Sequence, residues 1–220
     1  MSLALFDLDH TLLDGDSNTL WLDYLVAQGH VPPTVRQQQA DFMARYAAQE
    51  LDIAAYLGFH LQLLSGRPLA DWLPVRSAFV AAEIVPRICP AARAAVAGHR
   101  RQGHRLAIIT ATHSFLSSAI GALFEMPVIA PQATVRDAYL SGEIDGVPCF
   151  REKKLHCLEN WLTRQGLSGE AHNERHFYSD SANDLPMLEQ VSHPVAVNPD
   201  PQLAALAGQR NWPVLSWRCG

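Results

Sequence analysis

Asp7 and Asp9 stand two positions apart at the end of the apolar run Leu3-Ala4-Leu5-Phe6, with Thr11 just beyond. Residues two apart on an extended chain point the same way, so both carboxylates are placed to face one site. Like charges that close repel unless a cation or a shared proton intervenes. A solvated acidic turn would contain the same residues. What separates the two readings is whether matching groups follow other apolar runs, and they do. Thr110 follows Leu106-Ala107-Ile108-Ile109, with Thr112 close behind. Ser179, Asp180, Ser181, Asn183 and Asp184 follow His176-Phe177-Tyr178. Lys153 and Lys154 open the helical stretch that precedes this last run. Carboxylates, a hydroxyl and a lysine in one crevice suit a hard divalent cation together with a phosphate. Mg²⁺ takes oxygen ligands and keeps substrate phosphate oxygens in its shell. A hydroxyl, an ammonium and helix-start N–H groups suit the remaining phosphate oxygens.

These groups meet only if the runs before them are strands of one parallel sheet, whose ligands bind at the carboxyl ends. The rest of the chain fits that requirement. Leu3–Phe6 and Leu106–Ile109 have the length and makeup of short buried strands. Helical patterns over Pro90–Gln102, Ser114–Phe124, Lys153–Gln165, Asn183–Gln190 and Pro201–Ala207 alternate with strands at Val128-Ile129, His176–Ser179, Pro194–Val197 and Val214-Leu215. Such alternation implies an α/β core with a parallel sheet. Thr134–Arg136 and Glu143–Asp145 suggest a small hairpin turning at Ser141-Gly142. Between the first strand and Arg87 no strand is evident. Helical patterns follow Asp14-Gly15-Asp16-Ser17, then cover Val35–Glu50, Ile53–Leu64 and Leu69–Val85, broken by Pro32-Pro33 and by Ser65–Pro68.

The 220 residues carry 48% apolar and 18% charged side chains and a net charge of −5, the balance of an ordinary globular protein. Without a block of Lys or Arg, the chain does not read as a nucleic-acid or acidic-membrane binder. The apolar start is too short for a signal peptide, and no apolar stretch is long enough to span a bilayer. The cysteines, Cys89, Cys149, Cys157 and Cys219, form no C-x-x-C pair, so the expectation is free, mostly buried thiols and a cytoplasmic setting. The ten histidines show no H-E-x-x-H set. His172 and His176, four apart, fall across a loop and a strand onset and do not read as a zinc pair. Trp21 and Phe42 read as packing.

Asp7-Leu8-Asp9-His10-Thr11, Thr110, Lys154 and Ser179-Asp180-Ser181-Ala182-Asn183-Asp184 resemble the four ordered motifs of the haloacid-dehalogenase (HAD) superfamily. The helical insert after the first motif, Gly146–Phe150 and Val197-Asn198-Pro199-Asp200 are similar to its phosphoserine-phosphatase-like branch. The resemblance implies a Rossmann-like doubly wound parallel sheet core with an inserted all-helical cap domain. The catalytic core is then 1–15 and 88–220, and the cap is 16–87. It implies a Mg²⁺-dependent phosphatase acting on a small phosphomonoester through an aspartyl-phosphate. Asp7 resembles the nucleophile, a known role for a carboxylate. Asp9 resembles the general acid and base. Asp7, Asp180 and the main-chain carbonyl of Asp9 resemble the metal ligands, with Asp184 supporting them. Thr110 and Lys154 resemble the groups that hold the phosphoryl oxygens, and the spacing from Cys149 favours Lys154 over Lys153.

Each residue has a structural alternative: Thr110 and Asp184 can cap the helices that follow them. An acid two residues after the nucleophile favours phosphate chemistry over carbon–halogen cleavage. For the substrate, Asp16 falls near the position where the family holds an amine, and it also reads as a helix N-cap. His60 stands where the family places an arginine for a carboxylate. Asp16 points to an amine-bearing phosphomonoester such as histidinol phosphate or phosphoserine, and the missing arginine counts against phosphoserine itself. A phosphotransferase and a non-catalytic ligand-binding module on the same fold remain open. Oligomeric state is not fixed by these residues.

Overall fold

The computed structural model describes residues 2–167 and 174–219. A six-stranded parallel sheet runs in the order β3-β2-β1-β6-β7-β8. Its strands are β1 (Leu3–Phe6), β2 (Arg105–Ile109), β3 (Val128–Ile129), β6 (Arg175–Ser179), β7 (His193–Val197) and β8 (Val214–Leu215). The central strand β1 pairs with β2 on one side and with β6 on the other. All four of its residues are fully buried, which is why it reads as a continuous apolar run instead of an alternating one.

Alternate residues of β1 feed two cores. Leu3 and Leu5 pack with α7 (Lys153–Arg164), α8 (Leu185–Leu188) and α9 (Pro201–Arg210) through Leu158, Leu188 and Leu203. Ala4 and Phe6 pack with α5 (Pro90–Arg101) and α6 (Ser114–Ala122) through Val96, Leu116 and Ile120. The helices α1 (Ser17–Ala27), α2 (Val35–Ala47), α3 (Ile53–Gln62) and α4 (Leu69–Phe79) lie between β1 and α5 in the chain. They pack onto the sheet's own core. Trp21 and Leu25 of α1, and Trp72 and Phe79 of α4, belong to the same core as Phe6. Beyond them, Leu22, Phe42, Leu51, Tyr56 and Phe59 close a third, smaller apolar cluster.

The hairpin β4 (Gln132–Arg136) and β5 (Tyr139–Asp145) does not turn at Ser141-Gly142. Its two-residue turn is Asp137-Ala138, both in the left-handed region at φ 49° and 68°. Gly142 instead lies within β5 at φ 81°, where a Cβ would come within 2.9 Å of Gln62 on α3. The glycine thus marks the close approach of the hairpin to α3, a tertiary contact and not a chain reversal. Two helices are shorter than their patterns suggest. The stretch after Phe79 widens over Val80–Ile84 and tightens over Val85–Arg87, where Pro86 removes a donor. Ala182–Asp184 is a single 3₁₀ turn before α8.

The expectation of four free thiols is corrected. Cys89 and Cys219, 130 residues apart, form a disulfide, while Cys149 and Cys157 are free. The C-terminal segment is brought there by Asp14, whose carboxylate takes Arg218 Nη1 at 2.9 Å and the Cys219 N–H at 3.0 Å. Arg218 correspondingly holds the Asp14 carboxyl below its ordinary value. No local spacing announces a pairing made this way. Among the described residues no helix is long and apolar enough to cross a membrane.

Candidate active site

The carboxyl ends of β1, β2 and β6 open on one cavity, lined among others by Asp7, Asp9, Thr110, Lys154, Asp180 and Asp184. At its floor the chain leaves β1 with the Asp7 N–H still donating to the Tyr178 carbonyl at 2.9 Å. It then makes a wide loop. His10 takes a left-handed φ of 56°, and its carbonyl accepts from Asn198 Nδ2 at 3.0 Å. That loop brings Asp7 and Asp9 to the same cavity with different partners.

Lys154, in the first turn of α7, is buried. Its Nζ lies 2.7 Å from Asp7 Oδ1 and 2.7 Å from Asp184 Oδ2. Lys153 is exposed, so the choice between the two lysines falls on Lys154. Asp184 Oδ2 also accepts from Ser179 Oγ at 2.7 Å. Asp184 is therefore a buried, doubly bonded group and not a cap of α8. Asp180 Oδ1 accepts from Thr11 Oγ1 at 3.3 Å. The Asp180 backbone is fixed by the Asp200 N–H, and Asp200 Oδ2 in turn accepts from the Ala182 N–H.

Asp9 is held from the other side. Its Oδ1 accepts from the Ser17 N–H at the start of α1, and its Oδ2 accepts from Thr112 Oγ1, both at 2.7 Å. Asn18 Nδ2 also donates to Thr112 Oγ1, and Thr110 Oγ1 accepts from the Thr112 N–H at 3.1 Å.

Burial dominates the electrostatics. It pushes Asp7 up to about 7, with Lys154 opposing and Asp184 and Asp9 adding to the rise. It lifts Asp180 well above its ordinary value, again with Asp7 and Asp184 adding. Burial alone would lower the Lys154 ammonium, but Asp184 and Asp7 outweigh it and hold it above its ordinary value. Asp9 is raised to about 6 by burial and by Asp16, against the bonds from Ser17 and Thr112. Asp7 and Asp184 thus share one buried ammonium, with Asp180 close enough to feel their charge. The set holds more negative charge than it balances, and a divalent cation with oxygen preference is the ion such donors suit. Three carboxylates, an ammonium and a hydroxyl at strand ends can hold a phosphoryl group, offer an oxygen nucleophile and exchange a proton.

Asp16 lines the cavity and also caps α1, its Oδ1 accepting from the Thr19 N–H at 2.7 Å. His60 does not reach the cavity wall, and its expected contact with substrate is corrected. It is buried on α3, bonded through Nε2 to Gln39 Oε1 at 3.0 Å. Burial and the neighbouring His113 push its pKa well down, so it is no substitute for an arginine. The wall has instead Met43, Tyr46, Ile53 and Tyr56 from α2 and α3. Tyr46 OH lies 2.9 Å from Ser181 Oγ, joining α2 to the loop after β6. Phe42, which reads as packing in the sequence, is buried in the smaller cluster, while Met43 and Tyr46 of the same helix face the cavity. Thr112 is legible in the sequence beside Thr110 after the second apolar run, whereas Asn18 is one polar residue of a helix start and carries no such signal. His172 lies outside the described residues.

The sequence model of the haloacid dehalogenase-like hydrolases matches residues 4–189. A histidinol-phosphatase of Neisseria meningitidis serogroup C is 36% identical over 220 residues, covering 99% of each chain. A Bordetella pertussis Tohama I protein of unknown function superposes with a TM-score of 0.91 at 38% identity, covering 97% of each chain. A phosphoserine phosphatase carrying a phospho-aspartyl intermediate analogue superposes with a TM-score of 0.69 at 17% identity. It covers 99% of this chain and 93% of its own, a likeness of fold.

Proposed function

This chain belongs to the haloacid dehalogenase-like hydrolases, and from that membership we propose that it is a Mg²⁺-dependent phosphatase of a small, amine-bearing phosphomonoester, with histidinol phosphate as the leading substrate. The observation that carries this reading is Lys154, bridging Asp7 and Asp184 at 2.7 Å each inside a cavity shared with Asp9 and Asp180. Residues 16–87 act as the cap that supplies the apolar wall.

Asp7, Asp180 and the Asp9 carbonyl would hold the Mg²⁺, with Asp184 fixing Lys154 beside them. When bound, the ion neutralises charge on the phosphoryl oxygens. Asp7 attacks phosphorus as the bond to the leaving alcohol oxygen breaks, and Asp9 gives that oxygen its proton. Water then attacks the aspartyl-phosphate, Asp9 takes a proton from it, and phosphate leaves with the Asp7 carboxylate restored. A carboxyl near 6 suits both halves of this exchange at neutral pH. Thr110 and Lys154 keep the phosphoryl oxygens in line, since positioning and charge carry most of such catalysis.

Thr112 positions Asp9. Thr112→Val removes a bond that favours the carboxylate and so raises the Asp9 pKa. The kcat/KM of an alkyl phosphate reports the step that needs protonated Asp9. Its alkaline limb therefore moves to higher pH in the variant, and far less so with p-nitrophenyl phosphate, whose leaving group needs little protonation. A limb that stays in place removes Asp9 from this role.

The substrate reading rests on charge. Among the described residues lining the cavity, Lys154 is the one ammonium or guanidinium, and Asp7 and Asp184 occupy it. Arg151 is turned to Asn183 and the Gln49 carbonyl. A substrate carboxylate finds no unpaired ammonium or guanidinium there, whereas Asp16 offers a carboxylate to an ammonium and Tyr46, Tyr56 and Met43 suit a flat ring. The Neisseria relative described as a histidinol-phosphatase supports this choice. Asp16→Asn keeps the cap of α1, because asparagine caps as well as aspartate. It lowers kcat/KM for histidinol phosphate by about 10–100-fold, the worth of a charged hydrogen bond. Plain alcohol phosphates change far less, only by what the loss of the Asp16 charge does to Asp9. Equal turnover of both kinds of ester, untouched by this substitution, would refute the amine.

The class itself is tested by phosphate release from a panel of phosphomonoesters with Mg²⁺ and with excess chelator. The expected result is turnover that chelator abolishes and Mg²⁺ restores. Turnover indifferent to chelator, or none with any ester, overturns it.

A further inference from the structure

We propose that His99, His104 and His176 form a binding site for a transition-metal ion of the Zn²⁺ type, at the end of the sheet opposite the phosphoryl site. His99 lies in the last turn of α5, His104 immediately precedes β2, and His176 is the second residue of β6. The strand starts of β2 and β6 and the end of α5 therefore deliver one imidazole each. His99 Nδ1 and His104 Nδ1 face each other at 2.8 Å, and one ligand nitrogen from each of the three residues falls within 4.8 Å of the others. Tetrahedral zinc with bonds of about 2.0–2.1 Å sets its nitrogens about 3.3 Å apart. The rings reach that spacing with shifts of about 1–2 Å.

The arrangement also has the support that metal-binding imidazoles need. His99 Nε2 lies 2.7 Å from Tyr178 OH. That bond fixes the ring and leaves Nδ1 as the atom aimed at the cluster, the outer partner that orients a ligand and tunes its basicity. The triad contains no carboxylate, which selects borderline ions such as Zn²⁺, Ni²⁺ or Cu²⁺ over Mg²⁺. His104 and His176 are half-buried, so an ion can enter and keep water as its fourth ligand.

A competing set shares His176. His193 stacks on it with ring centroids 4.3 Å apart, and Glu174 completes a second possible group. Glu174 is exposed, and the His99–Tyr178 support is missing there, so the first set is the better built. Neither was visible as a motif, because the four histidines are spread over 95 positions and meet only through strand order.

The test uses the full chain stripped of metal. Zn²⁺ is titrated calorimetrically in a large excess of Mg²⁺, and Co²⁺ is added separately to read the visible band of a tetrahedral site. Wild type and Asp180→Asn are expected to bind one equivalent at micromolar Zn²⁺. His104→Ala and His176→Ala weaken that binding by more than about 100-fold, and Tyr178→Phe by about 10-fold. His193→Ala leaves it unchanged. His104 is half-buried just before β2 and outside any helix or strand, so its variant reports even if His176→Ala folds poorly. Absence of stoichiometric binding, or binding that survives His104→Ala, overturns the site. Loss in His193→Ala with retention in His104→Ala assigns the ion to the competing set and equally overturns the proposal. None of these readings depends on phosphatase turnover.

Discussion

Replacing Asp7 with asparagine lowers kcat by on the order of 10⁴-fold or more, whichever phosphomonoester is used. Phosphate-ester hydrolysis is among the slowest uncatalysed reactions, with enzymes supplying up to about 10²¹-fold. A covalent route divides that barrier, and an amide oxygen does not supply the nucleophile. Each tenfold loss is about 1.4 kcal/mol of transition-state stabilisation, so 10⁴ is roughly 5–6 kcal/mol. The fold survives the change for a stated reason. An asparagine oxygen still accepts from Lys154 Nζ, which now stands 2.7 Å from Asp7 Oδ1. The ammonium keeps Asp184 as its counter-ion. Burial holds the Asp7 carboxyl up at about 7, so a neutral amide there relieves strain in the metal-free protein. The measurement is single-turnover phosphate release together with the thermal midpoint. A variant that keeps its midpoint and loses turnover fits the nucleophile assignment. One that retains a tenth of the rate rules out Asp7 as the attacking group.

The second large effect is on stability. Lys154→Met costs about 3–5 kcal/mol, because removing one partner strands the other charges in a dry site. For a chain of this size that is on the order of 10 °C in thermal midpoint. The pH dependence has a definite sign. Asp7 is raised from 3.8 to about 7 in the folded protein, so the native state binds more protons than the unfolded one between those values. Stability contributed by such a group is present at low pH and declines as pH rises through the folded value. Lys154 opposes that rise, and its loss lifts Asp7 and Asp180 further. The midpoint of Lys154→Met therefore falls more steeply from pH 5 to pH 8 than that of wild type, in metal-free buffer. Mg²⁺ recovers more of it at pH 8 than at pH 5. The double variant Lys154→Met/Asp184→Asn regains part of the loss, since one stranded carboxylate is gone. Calorimetric scans at the two pH values check each statement. Parallel slopes for variant and wild type would mean that Lys154 does not carry the charge balance of the site.

The placement of the site needed no coordinates. Leu3–Phe6, Leu106–Ile109 and Phe177-Tyr178 are apolar because both faces of a parallel strand are covered. Polar residues resume where each strand ends, so Asp7, Thr110 and Asp180 mark those ends within the sequence itself. Period and caps are local properties, and Asp16 before α1 and Pro90 within the first turn of α5 are legible for the same reason. What the sequence left open depends on distance along the chain. The Cys89–Cys219 bond, the histidine cluster and the Tyr46–Ser181 contact span 130, 77 and 135 residues. Each exists only because sheet order and helix packing bring remote segments together. Orientation is likewise a tertiary decision: α3 turns His60 towards Gln39 and leaves Tyr56 on the cavity wall. Gly142 shows the reverse error, a residue that signals a turn but was needed for the approach of α3 to β5. Residue type and spacing specify which elements form and where their chemistry emerges. Packing, through burial and the exclusion of water, decides which of those groups meet and what charge they carry.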